Sequence, residues 1–374
     1  MKIGLTCYPT SGGSGIVATE LGRALAVRGH EIHFICYAEP FRYPGGDDRV
    51  AWHRVTIPQY PLYEYPSYGL SVACWMVQIA RDHALDLFHV HYAYPHAVSG
   101  FLARQMLGPR APRLVTTLHG TDVRLVGQDA AYRELIRFGI EQSDGVTAVS
   151  AFLEAETRAQ LGLARPIEVI PNFINPALFT PARRDAAVRR LWASEDERLV
   201  VHVSNFRPVK RVLDTVAAFA RLAQAVPARL LLAGTGPDLP AAVRRAEELG
   251  LAGRVTVLGE SRAIQDVIAQ ADLVMLSSES EGFGMVALEA MACGVPVVGT
   301  RCGGLEEVVS DGVDGFLVAV GDVPALAARA VEILADPGRL CRMGAAARAR
   351  ALERFHVDRI VPRYEAHYEA VLRG

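Results

Sequence analysis

Twice along the chain, a short apolar strand runs into a turn that is followed by a helix and then by another strand. At the start, residues 2–7 predict a strand, residues 8–15 a glycine-rich loop, Ile16 to Arg28 a helix, and residues 31–36 a second strand. Such a unit is right-handed, and its loop lies at the carboxyl edge of the sheet. The same order begins again at residue 198, so the sequence predicts an α/β protein with two doubly wound domains.

The length of 374 residues also suits two domains, each of which can bury its own core. We expect the first domain to span residues 1–172, with a last helix at 356–374 that crosses back onto it, and the second to span residues 173–355. The polar, charged segment from Asn175 to Arg198 predicts the linker between them.

The overall charge excludes some classes of partner. With 39 basic and 41 acidic residues the net charge is -2, so no global field recruits nucleic acid or an anionic membrane. The six cysteines are scattered without a C-x-x-C pair, and no apolar run approaches the roughly 18 residues of a membrane span. We expect a soluble cytoplasmic protein with reduced thiols and small-molecule partners, and a homodimer as its candidate assembly.

The segment from Ser277 to Gly294 carries the strongest chemical signal. It lies between two apolar strands and predicts a loop that leads into a helix, whose first amides and positive dipole end suit a phosphate. Gly282 and Gly284 let the backbone approach a ligand closely, and the carboxylates of Glu281 and Glu289 can accept hydrogen bonds from sugar or ribose hydroxyls. The alternative is a loop carboxylate and a solvated helix residue.

A basic loop follows the first strand of the second half. Arg207, Lys210 and Arg211 precede a predicted helix from Val212 to Ala223 and form a candidate anion site. The alternative is a solvated basic turn.

In the first half, several aromatic and polar residues follow predicted strands. His119 comes directly after the strand at residues 113–118, at the sheet edge where ligands bind in such folds. His89, His91 and His96 raise a zinc hypothesis, but two of them alternate along a strand, and we favour a ligand site formed by Tyr92, Tyr94 and His96.

Two further segments of the first half have sequences that allow more than one interpretation. Residues 40–70 predict an irregular loop, within which the aromatic residues 60–66 either line a ligand site or pack the loop onto the domain. Gly13, Gly15 and Ala18 nearly match a dinucleotide fingerprint, but the loop is longer than the tight turn of a dehydrogenase.

Glu281 and Glu289, followed by the sequence EAMACGVPV at residues 289–297, resemble the E-x7-E signature of the retaining GT-B glycosyltransferases of family 4. The sequence HGTD at residues 119–122 is similar to the loop of that family whose histidine approaches the donor sugar. The resemblance covers nearly the whole chain and implies a GT-B fold, with two Rossmann-like domains that face a cleft.

The sequences CYPTSGGSGIVATE at residues 7–20, TLHGTD at 117–122 and SNFRPVKR at 204–211 resemble a narrower group, the enzymes that join N-acetylglucosamine to L-malate in bacillithiol synthesis. This resemblance implies UDP-GlcNAc as donor, L-malate as acceptor, retention of the anomeric configuration and no metal. It implies catalytic roles for His119, Lys210 and Glu281; donor contacts from Gly13, Asn205, Lys210, Ser261, Arg262, Gly282, Phe283, Gly284 and Glu289; and acceptor contacts from Ser14, Tyr92, Thr117 and Arg207.

One position departs from the family pattern. Family members usually carry an arginine five residues before the lysine, and this chain has Asn205 before Lys210, which leaves Arg207 to supply charge to a different ligand. Three alternatives stay open at this point: a family-4 transferase with a sugar or lipid acceptor, a UDP-GlcNAc epimerase, and a catalytically silent protein that binds the sugar nucleotide.

Overall fold

A computed structural model describes residues 1–10, 12–43, 45–58, 67–124 and 129–374. The chain forms two compact units, Met1–Asn172 together with Val357–Gly374, and Phe173–His356. The aromatic segment at residues 60–66, a candidate lining of a ligand site, lies outside the described residues.

The first unit contains a parallel sheet of seven strands in the order β3-β2-β1-β4-β5-β6-β7. Its strands are β1 (Lys2–Thr6), β2 (Glu31–Cys36), β3 (Val50–Arg54), β4 (Leu87–His91), β5 (Arg113–Leu118), β6 (Gly145–Ala148) and β7 (Glu168–Val169). The central strands are rich in Val, Ile and Leu and are buried along nearly their whole length. Helices cover both faces of such a sheet, so its strands do not alternate between apolar and polar residues.

The helices of this unit are α1 (Gly13–Val27), α2 (Tyr68–His83), α3 (Val98–Leu107), α4 (Thr121–Arg124), α5 (Ala130–Glu141), α6 (Ala151–Leu161) and a last helix, Val357–Arg373. A five-residue π-helical turn, Ala93–Ala97, connects β4 to α3. Ser150 caps α6 by accepting a hydrogen bond from the backbone N–H of Leu153 at 3.1 Å, as serine commonly does at a helix start.

Two sequence-based expectations in this unit were wrong. Residues 40–70 are not one irregular loop, because β3 lies within them and pairs along its length with β2. Helix α1 begins at Gly13 and not at Ile16, so Gly13 and Gly15 of the predicted loop lie in its first turn.

The second unit contains a six-stranded parallel sheet in the order β10-β9-β8-β11-β12-β13. Its strands are β8 (Arg198–Val203), β9 (Ala228–Ala233), β10 (Val255–Gly259), β11 (Leu273–Leu276), β12 (Val297–Thr300) and β13 (Gly315–Val318). Its helices are α7 (Ala186–Arg189), α8 (Val212–Leu222), α9 (Leu239–Glu248), α10 (Ile264–Ile268), α11 (Met285–Ala292), α12 (Leu305–Val308), α13 (Val323–Leu334) and α14 (Pro337–Phe355), which makes the last helix of the chain α15.

The segment predicted as an interdomain linker is instead part of the second unit. Asp272, which is 4% exposed, forms ion pairs with Arg184 at 2.7 Å and with Arg189 at 2.6 Å, and it also accepts a hydrogen bond from the N–H of Leu199 at 2.8 Å. Burial alone would raise the pKa of Asp272, but these hydrogen bonds and charges outweigh it and lower the pKa. Two of the charged residues in this segment therefore pair with a buried carboxylate of the second unit.

A membrane-spanning helix needs about 20 consecutive, predominantly apolar residues. Within the described ranges, none of the helices is both long and apolar enough to cross a bilayer.

Candidate functional site

In both sheets the strand order reverses between two neighbouring strands, β1 and β4 in the first unit and β8 and β11 in the second. Loops on either side of such a reversal leave the sheet in opposite directions and open a crevice at the carboxyl ends of the strands. The residues predicted from the sequence to form the site lie largely on the loops that follow these strands.

In the first unit, the β1–α1 loop is held in a tight path. A Cβ atom on Gly15 would lie 2.5 Å from the carbonyl oxygens of both Tyr8 and Thr10, so any other residue would push this backbone apart. Gly13 is exposed at the start of α1, and Ser14 follows it in the first turn. Their positions leave the main chain of the helix start accessible to a ligand.

Tyr92 joins this loop to the end of β4. Its hydroxyl is 2.7 Å from Oγ of Ser14, and its backbone has a φ of +84°, a strained value for a residue with a side chain. The ring of Tyr8 lies 5.7 Å from that of Tyr92 and 4.8 Å from that of His96. Burial and the neighbouring tyrosines raise the pKa of Tyr8 to about 12, so its hydroxyl keeps its proton at neutral pH. Tyr8 was not among the predicted site residues.

His119 lies at the end of β5 and is hydrogen-bonded to a second histidine. Its Nε2 is 2.8 Å from Nδ1 of His91, and burial lowers the pKa of His119 to about 3, so both rings are neutral. Nε2 of His91 is buried, and no described residue accepts a hydrogen bond from it. The proton of His91 is therefore assigned to Nδ1, which donates to His119, and His119 carries its own proton on Nδ1.

Thr117 was predicted to contact the acceptor, and the structure does not support this role. Its side chain is fully buried, and its Oγ1 lies 2.7 Å from Nε2 of His89 and 2.7 Å from Oγ1 of Thr147. His89 in turn pairs with the hydroxyl of Tyr368 on α15 at 2.7 Å. Thr117 thus belongs to a buried polar network in the sheet, and the sequence pattern did not show which strand face it occupies.

In the second unit, the loops after β8 and β11 meet through an ion pair. Nζ of Lys210 lies 2.7 Å from Oε1 of Glu281, and Oγ of Ser278 donates to the same oxygen at 2.7 Å. Both charged side chains are largely buried, at 21% and 15% exposure. Oε2 of Glu281 accepts no hydrogen bond from the described residues, and Lys210 has further N–H groups, so both can still bind a ligand.

Ser277 holds the same two loops together at their base. Its Oγ lies 2.7 Å from Oγ1 of Thr215 and donates to the carbonyl oxygens of Lys210 and Arg211 at 3.0 and 2.8 Å. The N–H of Glu279 also donates to Val209 O at 2.8 Å. These bonds fix the backbone on which the ion pair stands.

Beneath the β8–α8 loop lies His202, which is fully buried. Its Nδ1 is 3.0 Å from the carbonyl oxygen of Met275, and its Nε2 accepts from the hydroxyl of Ser204 at 2.9 Å. Oγ of Ser204 in turn accepts from the N–H of Phe206 at 3.1 Å. Since a carbonyl only accepts, Nδ1 carries the proton. Burial and, to a smaller extent, the charge of Lys210 lower the pKa of His202 to about 4.

At the start of α11, Gly284 has a φ of +102°, and a Cβ there would lie 2.8 Å from Cδ1 of Leu305.

Glu289 is 4% exposed, so it is not the solvated helix residue of the alternative interpretation. Burial and the charge of Glu289 raise the pKa of the Cys293 thiol to about 12. The ring of Phe283 packs against Phe355 with centroids 5.5 Å apart, which leaves its main chain as the part that can contact a donor.

The remaining predicted residues of this unit are more accessible. Asn205 and Arg207 are exposed, and Arg207 forms no ion pair with the described residues. Arg262 is exposed as well, and Oγ of Ser261 accepts from the N–H of Ala263 at 3.2 Å. The backbone of Asn205 rests on Gly236, where a Cβ would lie 1.9 Å from its carbonyl oxygen.

Two family models match the chain, one for each half. Residues 11–178 match "Glycosyltransferase Family 4", and residues 184–350 match "Glycosyl transferases group 1". An N-acetyl-alpha-D-glucosaminyl L-malate synthase of Bacillus anthracis is 45% identical over 373 residues, 100% of this chain and 98% of the relative. A D-inositol 3-phosphate glycosyltransferase of Segniliparus rotundus is 34% identical over 77% of this chain and 67% of the relative.

Solved structures of similar architecture cover the whole chain. Sucrose-phosphate synthase from Thermosynechococcus elongatus superposes with a TM-score of 0.80 at 26% identity, covering 100% of this chain and 99% of that one. The Anabaena protein HepE, solved in complex with UDP-glucose, gives a TM-score of 0.82 at 24% identity, covering 99% of this chain and 100% of that one. The likeness to HepE concerns the fold.

Proposed function

Because this chain belongs to the family-4 glycosyltransferases, we propose that it transfers N-acetylglucosamine from UDP-GlcNAc to the hydroxyl of L-malate with retention of the anomeric configuration. The observation that carries the choice of substrates is the 45% identity, along the full chain, to a relative that is an N-acetyl-alpha-D-glucosaminyl L-malate synthase. The geometry of the two units supports donor binding by the second unit and acceptor binding by the first.

The second unit binds the donor. Lys210 neutralises the diphosphate, and the free oxygen of Glu281 accepts hydrogen bonds from the sugar hydroxyls. The amides at the start of α11, with Gly282 and Gly284, add donors to the same phosphates. Glu289 accepts from the ribose, and the main chain around Ser261 and Arg262 binds the base. In support, Ser277 and Ser278 hold the Lys210 and Glu281 loops in place before any ligand arrives.

The first unit binds the acceptor and the sugar. The exposed start of α1 at Gly13 and Ser14 offers N–H groups to a carboxylate, and the hydroxyl of Tyr92 is already paired with Ser14. His119 donates from Nδ1 to a hydroxyl of the sugar. In the second unit, Arg207 is an exposed cation whose guanidinium can bind a carboxylate of malate.

In the transfer step, the bond between C1 of the sugar and the phosphate oxygen breaks, and the electron pair stays on UDP. The malate hydroxyl oxygen bonds to C1 from the same face, and its proton goes to the departing phosphate oxygen. Lys210 and the α11 amides stabilise the charge that develops on that phosphate, which is often the largest catalytic term. We propose that this step uses no metal or other cofactor, since cationic side chains and helix amides bear the phosphate charge.

The decisive experiment measures UDP release from UDP-GlcNAc with L-malate, D-malate, succinate, glucose or water alone. We expect release only with L-malate, and NMR of the product should show the α-anomer. UDP release with glucose, but not with malate, would agree with a family-4 transferase that uses another acceptor. Release with no acceptor and epimerised sugar would favour an epimerase, and tight UDP binding without turnover would favour a silent binding protein.

Kinetics of single variants distinguish the role proposed for Lys210 in donor binding and catalysis from the role proposed for Arg207 in acceptor binding. Removing the charge of Lys210 with Lys210→Gln should lower kcat by roughly 100- to 1,000-fold, the usual effect of losing one group that stabilises the transition state. Arg207→Gln should raise the KM for malate and leave the KM for UDP-GlcNAc unchanged. Arg244→Gln, which removes an exposed charge on α9, is the matched control. An unchanged malate KM in Arg207→Gln would remove Arg207 from the acceptor site.

A further inference from the structure

Three histidines gather at the edge of the first unit's sheet, away from the loops described above. His33 lies in β2, His53 in the edge strand β3, and His83 is the last residue of α2. One ring nitrogen from each lies within 4.8 Å of the others, and among the described residues this is the one group of three or more side chains that could hold a metal. The three ring centroids are 4.3 to 5.1 Å apart.

Hydrogen bonds already orient the buried member of this cluster. Nε2 of His33 donates to Oε1 of Glu31 at 2.9 Å, and the other oxygen of Glu31 lies 3.4 Å from Nζ of Lys2. Because the proton is held on Nε2, the lone pair of Nδ1 faces the neighbouring ring. A carboxylate that accepts from the second nitrogen of a histidine is the arrangement that orients histidine ligands in metal sites.

The spacing within the cluster is close to that of a metal centre. Nδ1 of His33 lies 2.9 Å from Nε2 of His53. Two histidine nitrogens on a tetrahedral zinc ion, with bonds of about 2.0–2.1 Å, are about 3.3 Å apart. An opening of a few tenths of an ångström between these two rings, together with rotation of the partly exposed His83, would bring three nitrogens to one centre. Solvent can supply the fourth ligand, since His53 and His83 are only partly buried.

We propose that His33, His53 and His83 bind a divalent transition metal of the zinc type, in a site that fastens the edge strand β3 and the end of α2 to β2. Imidazole nitrogens suit Zn²⁺, Co²⁺ and Ni²⁺ and exclude the oxygen-seeking Mg²⁺ and Ca²⁺. The metal stabilises the fold of the first unit and takes no part in the transfer step. Metal that binds the folded chain and not the unfolded one raises the unfolding temperature by mass action.

The test uses metal-free full-length protein without an affinity tag. Co²⁺ titration should give the visible absorption of a tetrahedral site, and calorimetry with Zn²⁺ should show one ion per chain. Saturating Zn²⁺ should raise the unfolding temperature of the wild-type protein, whereas Mg²⁺ should not. Chelation should reverse that shift without changing the rate of UDP release.

Variants of the partly exposed ligands avoid disturbing the core. His53→Gln and His83→Gln should each weaken Zn²⁺ binding at least 10-fold, and Glu31→Gln, which removes the carboxylate behind His33, should weaken it about 10- to 100-fold. His356→Gln in the second unit is the control and should leave binding unchanged. Stoichiometric Zn²⁺ binding that survives in His53→Gln/His83→Gln, or no binding by the wild-type protein, would overturn the proposal.

Discussion

Replacing His202 with asparagine should make the second unit less sensitive to acid. His202 is fully buried and neutral, and its folded pKa of about 4 lies below the value of 6.5 that it takes in the unfolded chain. The unfolded state therefore binds a proton more readily than the folded state below pH 6.5. The contribution of neutral His202 to the free energy of unfolding is therefore fully present above pH 6.5 and decreases as the pH drops towards 4.

The size of this pH effect follows from the difference between the folded and the unfolded pKa of His202. Each pH unit below 6.5 costs about 1.4 kcal/mol while the folded histidine stays neutral, so the wild-type protein loses about 2 kcal/mol between pH 7.5 and pH 5 from this residue alone. Asparagine can still donate to the carbonyl oxygen of Met275 and has no charge to gain. Because the variant lacks the hydrogen bond to Ser204, its free energy of unfolding at pH 7.5 should be lower by about 1 kcal/mol. Its free energy of unfolding should, however, fall less steeply as the pH is lowered.

Tryptophan fluorescence during urea unfolding measures this difference. The chain has three tryptophans, of which Trp192 lies in the second unit. In a background with Trp52→Phe and Trp75→Phe, Trp192 reports on that unit for both the histidine and the asparagine form. A pH dependence that is identical in the two forms between pH 7.5 and pH 5 would show that His202 is not held neutral by burial.

Three further predictions concern single contacts. Asp272→Asn removes the carboxylate that pairs with two arginines, and it should lower the free energy of unfolding by about 3 kcal/mol in urea titrations; a loss below 1 kcal/mol would contradict a buried ion pair. Gly236→Ala would push a methyl group against Asn205 O and should raise the KM for the sugar nucleotide; an unchanged KM would show that this backbone does not position the donor loop. Tyr92→Phe removes the bond to Ser14 and should destabilise the protein by about 1 kcal/mol in thermal melts, where an unchanged melting temperature would count against that bond.

Much of the fold could be predicted because parallel strands that are buried on both faces have short, mainly apolar sequences. Residues 198–203 and 272–276 are of this kind, and their loops carry Lys210 and Glu281. Once both strands are placed at the reversal of the strand order, two side chains that are 71 residues apart in sequence become neighbours. Topology, more than local pattern, brings this pair together.

Other features depend on packing that no local pattern contains. Strand β3 is short and pairs on one side only, and its sequence Val-Ala-Trp-His-Arg lacks a continuous apolar run. Thr117 and Phe283 lie within motifs that resemble a ligand site, yet their side chains turn into the core. The histidines of β2, β3 and α2 are 20 and 30 residues apart, a spacing that corresponds to no metal-binding motif.

Helix α15 is the last segment of the chain, but it completes the first unit. Glu365 pairs with Arg28 at 2.8 Å and with His30 at 2.9 Å, and Tyr368 enters the buried network of His89. On the ribosome, which adds about 5–20 residues per second, roughly 10 to 40 s separate the synthesis of Asn172 from that of α15. During that interval the surface that α15 will cover stays open to chaperones, so the unit that is made first is the last to be finished.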